Sequence, residues 1–272
     1  MTTSAAPAIL DPRLSALLDR VAERQRQDFG HMVSDRKADG SLITACDRWS
    51  DEQLVQGLKT LYPLEGVLSE EGDQRVPASL AYWVVDPLDG TTNFAAGIPY
   101  WAISLARFEQ GEPVLAILDV PPLRQRIVAI RHRGAWRNGK PLQAPRLHSH
   151  PAGCASLCSR SIHVLQKLPD RRFPGKIRLL GVASLNMVSV AMGQTVAALE
   201  ATPKIWDLAA AWLVLSELGC PLRWLSREPG HIPPGTDLST SDFPVLVADC
   251  AETLERFLPW AEALEIETEP RR

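Results

Sequence analysis

The chain has 272 residues, 45% of them hydrophobic, with 29 basic and 32 acidic side chains and a formal net charge of -3. That is an ordinary composition for a globular fold with a sizeable core. The charge balance gives no electrostatic reason to expect nucleic acid as the main partner, and no apolar run reaches the roughly 20 residues needed to span a bilayer. A small-molecule site is the expectation.

Residues 13 to 29 place Leu14, Leu17, Leu18 and Val21 at the spacing of an amphipathic helix. KADGSLITACD follows as a turn and a short extended run ending in Asp47. SDEQLVQGLKTL, residues 50 to 61, reads as a second helix with Ser50 as its N-cap. From Val67 the pattern changes to short extended runs, GVLSEEGD and YWVVDP. Alternating runs then follow, separated by Gln110-Gly111, Pro121-Pro122 and Asn138-Gly139, the pattern of a meandering antiparallel sheet. Beyond about residue 150 the chain alternates: a strand at KIRLLG, a helix at LNMVSVAMG, a strand at TVAALE and a wholly apolar helix at DLAAAWLVLSELG. A Pro/Gly-rich loop, EPGHIPPGTD, precedes a last helix at ETLERFLPWAEAL. No internal repeat interrupts this order, and separate blocks of helix and antiparallel strand predict layered α/β (α+β) architecture.

Five scattered cysteines, an odd number with no secretory signal before them, predict a reduced cytoplasmic chain. Cys154 and Cys158 with His148 and His150 match no standard zinc spacing, so structural cysteines are the simpler reading.

The chemistry concentrates at YWVVDPLDGTTNF, residues 82 to 94, where a core-like strand runs into two aspartates. Proline holds the preceding Asp86 in extended geometry, and Pro87-Leu88-Asp89-Gly90 turns the chain. Both carboxylates can then face one space, while Gly90, Thr91 and Thr92 leave backbone N–H groups for an anion. Hard carboxylate oxygens beside an anion cradle describe a magnesium-phosphate site, although Asp-Pro and Asp-Gly are also good turn formers. Glu70 and Glu71 close the GVLSEEGD run, Asp47 closes SLITACD, and Asp207 stands at the mouth of the apolar helix, where it would also serve as an N-cap. So many carboxylates in one cleft repel one another unless a metal joins them.

DPLDGTTNF, SEEGD, IWDLAAAWLVLSELG and KADGSLITACD resemble the signature segments of the inositol monophosphatase family, magnesium-dependent and lithium-sensitive phosphomonoesterases. GVASLNM and GAWRNGKPL are similar to it in kind and order, so the resemblance runs from Lys37 to Gly219. It implies one αβαβα sandwich domain over residues 1–272. Its halves would be about 1–145, with most metal ligands, and about 146–272, with Asp207. It also implies a homodimer and two or three Mg2+ ions. Glu70, Asp86, Asp89, Asp207 and the Leu88 carbonyl would hold metal. Gly90 and Thr91 would hold phosphate. Asp47 and Thr91, with Glu70 as metal ligand, would activate the attacking water. Asp89, Gly181, Ala183 and Glu200 would face the alcohol. The expected reaction is hydrolysis of a small phosphate monoester, inositol monophosphate first. Histidinol phosphate, fructose 1,6-bisphosphate or 3′-phosphoadenosine nucleotide are the alternatives within the family, and a non-catalytic binding protein is the alternative outside it. Lys204 and the basic group Arg124, Arg126, Arg131, His132 and Arg133 read as solvated charges, the latter also as a possible second phosphate contact.

Overall fold

The structure, a computed structural model, describes residues 10–31, 34–37, 42–145 and 153–264. His148, His150 and residues 38–41 of the KADGS segment lie outside the described residues. In chain order, helix α1 (Pro12–Asp28) leads through the hairpin β1 (Ser34–Arg36) and β2 (Leu42–Thr44) into helix α2 (Ala45–Leu61). Strands β3 (Gly66–Ser69) and β4 (Ala81–Asp89) pair in parallel, and the short helix α3 (Thr91–Ala95) follows directly. The predicted meander is β5 (Ala102–Glu109), β6 (Glu112–Val120), β7 (Gln125–Ile130), β8 (Gly134–Arg137) and β9 (Lys140–Pro141). With β3 and β4 it makes a seven-stranded sheet in sequence order.

The second half carries β10 (Cys154–Leu157), α4 (Val164–Lys167), β11 (Lys176–Arg178), α5 (Ala183–Ala191), β12 (Ala197–Glu200) and α6 (Ile205–Glu217). It ends with β13 (Leu222–Trp224), β14 (Val245–Ala248) and α7 (Ala251–Glu262). Its sheet has the order β11-β10-β12-β14-β13, with parallel pairs around β10 and antiparallel pairs around β14. Strands β10, β13 and β14 are three or four residues long, too short for the hydrophobic pattern to mark them.

Strand alternation sorts the core into layers. Trp83, Val85, Ile103, Leu105 and Ile117 pack on Leu14, Leu17, Leu18, Val21, Leu54 and Leu58, so α1 and α2 cover one face of the large sheet. The alternate residues Val84, Ala102 and Ala106 face α5 and α6, which on their other side meet Ala198, Val245 and Val247 of the small sheet. Beyond that sheet Leu157, Leu199 and Leu246 pack on Phe257 and Trp260 of α7. The order helix, sheet, helix, sheet, helix is the predicted αβαβα sandwich. Helix α6 occupies its middle layer, which explains why it is apolar all round, buried from Leu208 to Leu215. Among the described residues no helix is long and apolar enough to cross a membrane.

Helix α2 begins earlier than the sequence suggests. Thr44, not Ser50, is its N-cap: the Thr44 hydroxyl accepts from the Cys46 and Asp47 N–H groups, and Asp47 accepts from the Thr44 N–H at 2.8 Å. This reciprocal box outcompetes Ser50, because two orphan donors are satisfied at once. Ser50 is instead buried within the helix, where its hydroxyl accepts from Gln25 at 3.1 Å.

Gln25 lies on the apolar stripe of α1 and is fully buried. Its amide also donates to the Pro87 carbonyl at 2.8 Å and accepts from the Trp101 indole at 3.0 Å. One side chain thus satisfies groups from three elements around the DPLD turn. Gln25→Leu is expected to lower unfolding stability by about 3 kcal/mol, because the buried indole and carbonyl lose their partner. Urea denaturation reads this as a lower midpoint with an unchanged slope; a loss below about 0.5 kcal/mol would show that the amide does not hold the turn.

Candidate active site

Asp86 and Asp89 are three residues apart, a separation that would put them on opposite faces of a regular strand. The register resolves this. Asp86 pairs with Ser104 and Asp89 with Ala102, so β4 carries one residue more than β5 across the same span. This bulge, built on Pro87 and Leu88, turns both carboxylates to one side. Asp207, in the first turn of α6, joins them: one oxygen from each of Asp86, Asp89 and Asp207 lies within 4.8 Å of the others.

The main chain holds each acid. Asp86 Oδ1 accepts from the Leu88 N–H at 2.9 Å, Asp89 Oδ2 from the Ser184 N–H at 2.8 Å and Asp207 Oδ2 from the Lys204 N–H at 2.8 Å. Asp86 Oδ2, by contrast, is buried with no hydrogen-bond partner. Burial, reinforced by the charges of Glu70, Asp89 and Asp207, pushes the Asp86 carboxyl well above the usual range. Burial does the same at Asp207, with Asp89 and Glu70 adding to it. Asp89 is pushed up to about 6, chiefly by burial, with the Ser184 hydrogen bonds working against the rise. Converging hard oxygens, one of them orphaned, fit a divalent cation such as Mg2+.

Glu70 follows β3, its N–H tied to the Val85 carbonyl at 3.0 Å. Its carboxylate stands at the rim of the three-aspartate group and accepts from Lys37 Nζ at 2.9 Å. The same ammonium bonds Glu71 at 2.5 Å. Lys37 was legible only as part of a motif; its pairing with both glutamates comes from the hairpin before α2.

Asp47 and Thr91 meet as expected. Thr91 Oγ1 donates to Asp47 Oδ1 at 2.7 Å and lies 3.1 Å from the Leu88 carbonyl, while Asp47 Oδ2 is occupied by the Thr44 N–H and hydroxyl. Gly90 precedes α3 with φ +104°, and a Cβ there would come within 2.8 Å of Val182 Cγ2, so only glycine fits. The first helical hydrogen bond of α3 runs from Phe94 N–H to the Gly90 carbonyl, leaving the N–H groups of its first turn ahead of it.

Of the residues expected on the alcohol side, all but Asp89 come from the second half of the chain. Gly181 has φ +74° and packs on Asn93, whose side-chain N–H groups bind the carbonyls of Leu180 at 2.7 Å and Tyr100 at 2.9 Å. Ala183 opens α5, one residue before the amide that holds Asp89. Glu200 ends β12, is 3% exposed, accepts from Asn186 Nδ2 at 2.8 Å and is pushed up to about 8 by burial. Sequence reasoning missed Gln25, Asn93 and Asn186. Gln25 and Asn186 each interrupt an apolar helical stripe, and that was the available signal.

The remaining charges stand apart. Arg126 pairs with Asp119 and with Asp19 at 2.8 Å, Arg131 with Glu112 at 3.6 Å and Lys204 with Asp242 at 2.9 Å, so none of these is a spare phosphate contact. All five cysteines are free thiols, and among the described residues the three aspartates are the one cluster suited to a metal.

Comparison with known proteins decides the class. The model of the inositol monophosphatase family matches residues 7–253. The chain belongs to the inositol monophosphatase family. It is 33% identical to a histidinol-phosphatase of Mycobacterium tuberculosis over 75% of its own length and 83% of that protein. It is 28% identical to a fructose-1,6-bisphosphatase/inositol-1-monophosphatase of Thermotoga maritima, over 75% and 80%. A solved IMPase/NADP phosphatase in complex with Mg2+ and phosphate superposes with a TM-score of 0.74 at 26% identity, covering 95% of this chain and 96% of that one. The protein is therefore a phosphoric monoester hydrolase of a magnesium-dependent family.

The aspartate cluster makes a prediction about the metal-free enzyme. Its folded-state pKa values are raised above the ordinary carboxylate value of about 4, so the folded form binds protons more tightly than the unfolded form. That stabilising contribution is present at low pH and lost as pH rises through the folded values, about 6 for Asp89. With chelator present, the melting temperature is expected to fall between about pH 5 and pH 8. Added Mg2+ is expected to raise it more at pH 8 than at pH 5. A chelated enzyme equally stable across this range would rule out a cleft whose burial and neighbouring charges hold its carboxyls protonated.

Proposed function

We propose that the cleft hydrolyses the phosphate monoester of a small polyol, with inositol monophosphate as the first candidate. The observation that carries this reading is the convergence of Asp86, Asp89 and Asp207 around the unpartnered Asp86 Oδ2. These three, with Glu70 and the Leu88 carbonyl, would hold two or three Mg2+ ions. The bound ions would offset the charge of the phosphate oxygens, lower the pKa of water and ease departure of the alkoxide.

The chain's own groups would do the rest. Backbone N–H groups of Gly90 and Thr91 would fix the phosphate at the start of α3. Asp47 is oriented for proton transfer: with Oδ2 engaged by Thr44, its Oδ1 is the atom offered to Thr91. The attacking water would give its proton to Thr91 Oγ1 as the hydroxyl proton of Thr91 passes to Asp47 Oδ1. No side chain need form a covalent phosphoryl intermediate. The alcohol would lie between Asp89, Gly181 and Ala183, with Glu200 accepting from a hydroxyl. Burial of Glu200 without an ion-pair partner among the described residues supports a substrate that brings its own donor.

Phosphate release, with and without Mg2+, from inositol 1-phosphate, histidinol phosphate, fructose 1,6-bisphosphate, NADP and 3′-phosphoadenosine 5′-phosphate tests the reading. Metal-dependent turnover with inositol 1-phosphate preferred is expected, and a strong preference for another ester would reassign the substrate. Asp86→Asn is expected to lower kcat/KM by more than about a hundredfold while the chelated protein stays folded and gains stability at pH 8. Unimpaired turnover by this variant would sink the metal assignment.

A further inference from the structure

Helix α5 serves two carboxylates with its first turn. The Ser184 N–H holds Asp89, and two residues later the Asn186 side chain holds Glu200. The first contact is main chain and insensitive to the residue at 184; the second depends on one amide.

Glu200 Oε1 accepts from Asn186 Nδ2, the half-buried thiol of Cys158 lies nearby, and the charge of Asp89 also bears on the group. Neither the amide nor the thiol brings a charge. Cys158 is itself fixed, accepting from the Ala201 N–H at 3.3 Å and lying 3.4 Å from the Ser161 hydroxyl. A carboxyl group has acceptor positions on both oxygens, and a donor seated at 2.8 Å on Oε1 fixes the plane of the group and leaves Oε2 for another partner.

The other end of Asn186 is costly. Its Oδ1 is buried without a hydrogen-bond partner, and its residue is 1% exposed within a buried helix whose other polar side chains are the small Ser184 and Ser189. Such an oxygen costs about 1–3 kcal/mol, which an apolar residue at 186 would not incur. Stability alone therefore does not account for an amide at this place; its satisfied half, aimed at Glu200, does.

We propose that Asn186 is a positioning residue that sets selectivity for the alcohol half of the ester by fixing the Glu200 carboxylate. This rests on the reading of Glu200 as the alcohol-side acid given above. The substrate class it favours is a phosphate monoester whose alcohol carries a second hydrogen-bond donor. Esters without one gain nothing from the arrangement.

The test compares KM and kcat for inositol 1-phosphate with those for p-nitrophenyl phosphate, whose alcohol has no second donor, using the Mg2+-loaded enzyme. Asn186→Leu and the smaller Asn186→Ala are both made, so that one poorly folding variant does not decide the matter. Glu200→Ala is made alone and combined with each. Loss of this buried hydrogen bond is expected to raise KM for inositol 1-phosphate relative to p-nitrophenyl phosphate by about fivefold or more. The effect should fall on KM rather than kcat. In the Glu200→Ala background, replacing Asn186 is expected to change this ratio by less than about twofold, because the two act as one unit. Equal losses on both esters, or the same change of ratio with and without Glu200, would overturn the inference while leaving the phosphatase reading intact. Wild-type enzyme that releases phosphate from neither ester would overturn the functional reading first, and the inference with it.

Discussion

Carboxylates gathered out of water must be held against their mutual repulsion, and in this fold helix N-termini provide the hold. Asp47 is in the first turn of α2, tied to the Thr44 N–H. Asp207 is in the first turn of α6, tied to the Lys204 N–H. Asp89 reaches the Ser184 N–H in the first turn of α5, and Gly90 opens α3 beside it. Each contact puts negative charge at the positive end of a helix dipole, where unpaired N–H groups would otherwise need partners. The layered architecture makes this possible. Helices of the outer layer and of the middle layer both begin at the edge where β4 ends, so their N-termini converge on one cleft. Main-chain donors moderate the repulsion without removing it, and Asp86 Oδ2 at the centre is left with no protein partner. Such an arrangement of acids fits a divalent cation.

A second constraint fixes the distance between the two halves of the cleft. Gly90 has no room for a Cβ against Val182, and Asn93 binds the Leu180 carbonyl. The segment from Leu180 to Ser184 therefore touches the start of α3 and the side chain of Asp89 at once. A shift of this segment would loosen the anion cradle and release Asp89 together. The Asn93 amide spends both N–H groups on carbonyls of different elements, which anchors the segment to the loop before β5. The site is rigid because its parts share neighbours.

Much of this was legible in the sequence because it is periodic or local. The apolar stripe of α1, the all-apolar α6, the meander with its Gly and Pro turns and the DPLD turn each follow from nearest-neighbour chemistry, and the layer order follows from them. What escaped depends on pairing. The sequence reading lets Asp86 and Asp89 face one space through a turn; that β4 instead continues to Asp89 through a bulge shows only in its register with β5. Ser50 and Thr44 are both reasonable caps; the reciprocal bond with Asp47 chooses between them. Glu70 was grouped with the three aspartates by resemblance, yet its position at their rim, paired to Lys37, is set by a hairpin far from it in sequence. Gln25 and Asn186 looked like interruptions of apolar faces, and their partners are 62 and 14 residues away.

The acids of the cleft are held in different ways, and the difference decides what substitution can change. Asp86, Asp89 and Asp207 are fixed by backbone N–H groups, which survive replacement of the residue that carries them. Glu200 is held by a side chain, Asn186, whose hydrogen bond does not. Substitution around Glu200 can therefore move that carboxyl group while the aspartates beside it keep their geometry. Substitution cannot so easily disturb the aspartates without moving the backbone of α5 or α6, which is packed in the middle layer and communicates with both sheets. On the proposed reading, such a fold would separate reaction from recognition by the kind of hydrogen bond each uses.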